Sequence, residues 1–171
     1  SQGIGRFYWQ DLPVQKKVFR DLFVRGEESI ASGEISAISP WSKELLKTFP
    51  INNWRKTRLR NYLRLVNVVK KCGLLEVPVT DPGEKCPLSL PLLFDSSARR
   101  DYVRERLIEH SVYPAILWDI NNALVEGISP ATIDISRRIL CVHCDMRYNE
   151  QDMDYIANLI VLFTNEFDGN R

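Results

Sequence analysis

Between Arg138 and Tyr148 the chain gathers two arginines, two cysteines, a histidine, an aspartate and a tyrosine within eleven residues. Each type implies a different chemistry. A guanidinium meets a carboxylate with two parallel hydrogen bonds, a chemistry open to Arg138, and Arg147 is a second guanidinium nearby. Aromatic faces suit sugar and base stacking, which makes Trp118 and Tyr148 candidates beside them. The run Cys141-Val142-His143-Cys144 invites a metal or redox reading. A closed zinc site takes about four ligands and a CxxC supplies two. Cys72, Cys86 and His110 are single residues without paired spacing. A redox CxxC belongs at a helix N-terminus, which favours the thiolate, whereas this one ends a strand. The cysteines therefore read as small buried hydrophobes, and no metal ligand is assigned. Asp119, Asp145, Glu150 and Asp152 form no paired acid–base signature, and nothing is arranged as Ser–His–Asp.

The elements that must position these groups follow from periodicity. Tyr113 to Trp118 and Arg138 to Val142 are short apolar runs suited to buried strands. Trp118, Arg147 and Tyr148 then lie in loops just past strand ends. Asn149 can cap the last helix, with Asp152 at its third position, favourable to the positive helix end. Met153, Ile156, Ile160 and Phe163 make its stripe, so Ile156 is a core residue, as is Ile116 at the centre of its strand. Leu88 to Phe94 is a further strand candidate, placed at an edge or bulged because Pro91 lacks the amide that a ladder needs. Asp95 or Ser96 caps a helix to about Glu109. Asp81-Pro82-Gly83 is a turn, and Ser129-Pro130 starts a short helical turn.

The front of the chain is helical. Asp11 and Pro13 open one helix that Gly33 stops, and Ser39-Pro40 opens a second that Pro50 ends. The clearest helix is capped by Asn52 or Asn53 and stopped by Gly73, with Leu59, Tyr62, Leu63, Val66 and Val69 as its stripe. Arg55, Lys56, Arg58, Arg60, Arg64, Lys70 and Lys71 surround that stripe, with no acidic residue between Ile51 and Cys72. The expected organisation is residues 1–50 as N-terminal loop and helices. Residues 51–171 form a small α/β domain that includes the helix 53–72. The fold class is α/β in the α+β sense. A helical N-terminal part is followed by a small, mostly antiparallel sheet with helices on one face.

Composition narrows the function classes. A length of 171 residues and a hydrophobic fraction of 44% suit one domain with a helical extension. The formal charge of +1, from 23 basic and 22 acidic residues, steers toward no partner. No apolar run reaches the roughly 20 residues of a membrane span. Four cysteines are too few for a disulfide scaffold, and a cytoplasmic setting is the simplest reading.

Taken in order, Tyr113-Pro114-Ala115-Ile116-Leu117-Trp118, the strand after Arg138 and the run Glu150-Gln151-Asp152-Met153-Asp154-Tyr155-Ile156 carry a resemblance. With the helix run Arg58-Leu59-Arg60-Asn61-Tyr62 they resemble the C-terminal small domain of StrS-like, DegT-type sugar aminotransferases, which are PLP-dependent enzymes of fold type I. The resemblance covers roughly residues 50–165. It implies that helix 53–72 bridges a large and a small domain. It implies that Arg138 stands where fold type I enzymes bind the α-carboxylate of the amino donor, and that Trp118, Arg147 and Tyr148 face the sugar nucleotide. The family's Schiff-base lysine context, Ser-x-His-x-x-Lys, matches none of Lys16, Lys17, Lys43, Lys47, Lys56, Lys70, Lys71 and Lys85. No catalytic or cofactor-binding residue is therefore assigned here, and PLP is expected on a large domain that is this chain's partner.

Three functions compete. The leading one is the C-terminal domain of a PLP-dependent aminotransferase acting on a nucleotide-linked or related keto-sugar. The second is a non-enzymatic binding or interaction module of the same fold, since fold alone does not set function. The third is nucleic-acid binding through the basic helix 53–71, against which the charge balance and the scatter of the cations argue; neither nucleic acid nor membrane is expected as a partner. The aromatic front, with Phe7, Tyr8, Trp9, Trp41 and Trp54, adds an expectation of an apolar patch satisfied by self-association or by refolding of the N-terminal segment across it.

Overall fold

A computed structural model describes residues 13–33, 37–73, 75–83, 85–117, 120 and 126–169. The chain forms two compact units, residues 1–50 and 51–171.

The first unit holds helices α1 (Pro13–Ser32) and α2 (Pro40–Thr48). Ser39 caps α2, its hydroxyl accepting from the Ser42 N–H at 3.1 Å, and Pro40 supplies the fixed φ of a first helical residue. On α1, Val18, Leu22, Phe23 and Ile30 are exposed, and on α2 Trp41 is 73% exposed. Phe7, Tyr8 and Trp9 lie outside the described residues.

The second unit begins at α3 (Ile51–Cys72), followed by β1 (Ser89–Leu93), α4 (Ser97–Glu109), α5 (Pro130–Arg138), β2 (Ile139–His143) and α6 (Glu150–Gly169). It is a small mixed α/β fold. α3 starts directly after Pro50, so Asn52 and Asn53 sit inside its first turn rather than capping it. Pro50 holds Phe49 extended but places no restriction on the residues that follow it.

β1 and β2 pair antiparallel, with Leu90 opposite Val142, Pro91 opposite Cys141 and Leu92 opposite Leu140. Both N–H and C=O of Cys141 bond Ala115 on the far side, at 2.8 and 2.9 Å. Cys141 therefore turns no polar group toward Pro91, and the missing amide of Pro91 faces away from β2. On that outer side Leu93 exchanges hydrogen bonds with Glu76 at 2.9 and 3.2 Å. Pro91 thus stands at an edge. Residues 113–117 are not a strand: among the described residues their pairing is the single bridge at Ala115. Pro114 has no amide to extend the ladder, and Ile116 is 37% exposed, so the expectation of Ile116 in the core is overturned.

The core lies on one face of the sheet. Leu90, Leu92, Leu140, Val142 and Cys144 point into it, as alternation along a strand requires. Against them pack Tyr62, Leu65, Val66 and Val69 of α3, Val103 and Leu107 of α4, and Met153, Ile156, Ile160 and Phe163 of α6. Ser96 caps α4 through the Arg99 N–H at 3.2 Å. Asn149 and Asp152 cap α6 reciprocally, each side chain accepting from the other's backbone N–H at 3.0 Å. Among the described residues no helix is long and apolar enough to cross a membrane.

Candidate functional site

The sequence-predicted groups divide between the two ends of β2. At its start, α5 runs through Arg138, so Arg137 and Arg138 close a helix instead of edging a strand. Ser129-Pro130 opens a full helix of 9 residues, not a short turn. Helical spacing puts Arg138 over Asp134, and the pair meets at 2.5 Å. A further N–H of Arg138 donates to the Phe94 carbonyl. That arginine is half-buried and ties α5 to the end of β1. The Asp134 carboxyl is held below its ordinary range by the Arg138 hydrogen bond.

At the other end of β2, the loop to α6 carries Arg147 and Tyr148. Arg147 is gripped by Asp145: Nε and Nη2 donate to the two carboxylate oxygens at 2.8 Å each, and the Arg147 backbone N–H adds a bond at 3.0 Å. The guanidinium also lies 5.8 Å from the centre of the Tyr148 ring. Asp145 is buried, and the hydrogen bond from Arg147 lowers its pKa, with burial opposing. Burial pushes the half-buried Tyr148 phenol up.

This loop is fastened from α3. Asn61 is fully buried, and its amide Nδ2 donates to the carbonyls of both Asp145 and Tyr148 at 3.0 Å. One turn earlier, Arg58 Nη1 donates to the Pro87 and Leu88 carbonyls at 3.3 and 3.1 Å. Its positive charge also helps to keep Asp145 ionised. The i, i+3 spacing of Arg58 and Asn61 puts both on the side of α3 that meets this loop. Neither Asn61 nor Asp145 was singled out from sequence as a site residue. An asparagine within an apolar helical stripe is the signal that could have found the first.

Arg138 and Arg147 flank β2 at opposite ends, and each holds a different carboxylate, Asp134 and Asp145. Trp118 lies outside the described residues, as does Asp119. The structure therefore brings Arg147 and Tyr148 together and leaves Arg138 apart.

The Cys141–Cys144 run does not converge. Cys141 and His143 share one face of β2 and Cys144 the other. His143 is exposed and both cysteines are buried. Burial pushes the Cys144 thiol up to about 12, opposite to a reactive or metal-ready thiolate. Among the described residues no group of three or more His, Cys, Asp or Glu is placed to hold a metal ion.

The basic helix is partly neutralised within the fold. Arg60 pairs with Glu150 at 3.4 Å, and Arg64 meets Asp154 through two bonds at 2.6 and 2.7 Å. At its N-terminal end, Asn52, Arg55, Lys56, Leu59, Lys85 and Cys86 line an open recess of about 280 Å³.

No protein-family model and no curated protein matches the chain. Solved structures do match. The aminotransferase TlmJ from Streptoalloteichus hindustanus covers 68% of this chain at TM-score 0.56 and 14% identity. DesI, solved in the presence of its TDP-sugar product, covers 70% at TM-score 0.57 and 18% identity. A DegT DnrJ EryC1 StrS aminotransferase from Brucella abortus covers 67% at TM-score 0.52 and 19% identity. The chain spans about a third of the length of each of these proteins. The fold is one shared with part of each of these three proteins.

PLP, implied by that likeness, needs a lysine for its aldehyde and a cradle for its phosphate. The side chains of Lys43, Lys47, Lys56, Lys70, Lys71 and Lys85 are all exposed, and Lys47 is paired with Glu44 at 2.6 Å. The described residues do not fit the cofactor.

Proposed function

We propose that this chain is the C-terminal domain of a PLP-dependent aminotransferase acting on a nucleotide-linked or related keto-sugar. The likeness of fold to three aminotransferases, over about two thirds of this chain and a third of each of theirs, is the observation that carries the reading. In such an enzyme PLP would supply the electron sink for transfer of an amino group from an amino acid to the keto carbon of the sugar, which gives a 2-oxo acid and an amino sugar. The cofactor and its lysine would be supplied by a large domain, the partner of this one. This domain would close one side of the substrate cleft, presenting Arg147 and Tyr148, with Trp118 and Arg138 as further candidates. A cytoplasmic setting fits that chemistry, and neither nucleic acid nor membrane is a partner on this reading.

The test is made on the polypeptide as the cell produces it. Its intact mass is measured, bound PLP is trapped by borohydride and the modified lysine mapped, and amino transfer to nucleotide-linked keto-sugars is assayed. A polypeptide about twice the 19.8 kDa of this chain, with PLP on a lysine outside this sequence and amino-sugar product, supports the reading. A native polypeptide of 19.8 kDa without PLP or transfer activity overturns it in favour of a binding module of the same fold.

A further inference from the structure

We infer that Arg147 is the anchor for an oxyanion, a phosphate or carboxylate group arriving from solvent, and that Asp145 is its positioning residue. The argument begins with the geometry of the guanidinium. Arginine has five N–H donors in a rigid plane. Asp145 takes Nε and one hydrogen of Nη2, the side edge of that plane, at 2.8 Å each. The end edge, formed by Nη1 and the second hydrogen of Nη2, has no partner among the described residues. That edge alone matches an oxyanion as a fork. The Arg147 side chain is 73% exposed although its base is held by a side chain only 10% exposed.

An exposed arginine ordinarily samples many rotamers, and ordering it on binding costs entropy. Here that ordering is already made. Asp145 fixes the plane, Tyr148 lies under it at 5.8 Å, and Asn61 pins the backbone on both sides of Arg147. Asn61 achieves this at a cost, since its buried Oδ1 has no partner. If Asp145 served only to stabilise the loop, the Arg147 backbone N–H at 3.0 Å would suffice, without a grip on the exposed guanidinium. The local charge also suits an anion. Arg58 and Arg147 face the single carboxylate Asp145, and Asp152 is turned to the Asn149 N–H.

The inference rests on the proposed aminotransferase reading only for where the oxyanion comes from. Binding is therefore measured directly on the full chain. Proton–nitrogen correlation spectra are recorded while inorganic phosphate or acetate replaces chloride at constant ionic strength. The expected result is a saturable shift of the Arg147 Nε–H and of the backbone amides from Asp145 to Asn149. Arg147→Lys keeps the charge but loses the fork and should weaken binding about tenfold, a change of about 1.4 kcal/mol. Asp145→Asn should weaken it severalfold. Arg64→Gln, which removes another carboxylate-paired surface arginine, should leave it unchanged. Preference for phosphate identifies a phosphate-bearing ligand, and preference for acetate a carboxylate-bearing one.

Absence of a saturable shift with either anion overturns the inference. So does a lysine variant that binds as well as arginine, or an equal loss in Arg64→Gln. Should the Arg147 variants fail to fold, phenylglyoxal modification of the unaltered chain decides. Phosphate or acetate should then slow modification of Arg147 and not of Arg64, and equal rates at both count against an anchor. Failure of amino transfer in the enzyme assay leaves these binding outcomes intact, so the two readings fail separately.

Discussion

The Asn61 amide of α3 reaches across the core to the Asp145 carbonyl at 3.0 Å, joining residues 84 positions apart in the chain. The same nitrogen holds the Tyr148 carbonyl at 3.0 Å. Asn61→Ala should leave both carbonyls short of a donor in a buried place. The expected loss of stability is about 1–3 kcal/mol, read as a lower urea midpoint. Faster amide exchange should be confined to residues 145–149. Exchange accelerated throughout the domain would show that Asn61 serves general packing.

The Asp145 carboxyl is held below its usual value, first by the Arg147 side-chain hydrogen bond. A carboxyl with a lowered folded pKa contributes stability above its unfolded value, about 3.9, and loses it as pH falls through the folded value. Urea midpoints measured from pH 6 down to about 2.5 should therefore fall most steeply below about pH 4. Asp145→Asn should flatten part of that slope and leave the neutral-pH fold intact. An unchanged slope would exclude the Asp145–Arg147 pair as a contributor.

Cys144 is buried with its thiol pushed up to about 12, and Cys141 is raised by burial as well. Cys86 is exposed. Iodoacetamide at about pH 8 should label Cys86 within minutes, while Cys141 and Cys144 react only on unfolding. Because the folded pKa of Cys144 is raised, its contribution should be complete below the unfolded value of about 8.5 and decline as pH climbs toward 12. Rapid native labelling of Cys144, mapped by mass spectrometry, would contradict its place in the core.

Ile156 is 7% exposed and packs in the cluster with Met153, Ile160 and Phe163, so Ile156→Ala should cost about 2–5 kcal/mol. Ile116, at 37% exposure, should cost less than about 0.5 kcal/mol on the same change. Chemical denaturation of the two variants side by side checks the contrast. Equal losses would place Ile116 in the core after all.

Much of the second unit was legible in the sequence because its signals are local. Asn149 with Asp152 and Ser96 before α4 are capping chemistries that act within one turn, as is Ser39-Pro40 before α2 in the first unit. The stripes of α3 and α6 follow from periodicity alone. What failed depended on pairing across the chain. Tyr113 to Trp118 has the composition of a strand, yet Pro114 has no amide to extend a ladder, and among the described residues the pairing is one bridge at Ala115. Arg138 looked like a strand residue because Ile139 and Leu140 follow it, whereas Asp134 one turn earlier draws it into a helix. At the site, Arg147 and Tyr148 were found by their types. Asp145 and Asn61, which fix them, were not, because their role exists only where α3 meets the β2–α6 loop.

The outward-facing nitrogen of Pro91 bears on how the molecule avoids its own kind. A foreign strand laid along the outer edge of β1 would seek donors at Ser89, Pro91 and Leu93. Proline has none, and the Leu93 N–H is already given to Glu76 at 2.9 Å. On the opposite edge the Cys141 N–H is taken by Ala115 at 2.8 Å, and that of Ile139 by Ile135. A sheet this small would otherwise be an open template for strand addition and fibril growth. Removing those donors lets it keep two short strands without inviting a third from another molecule.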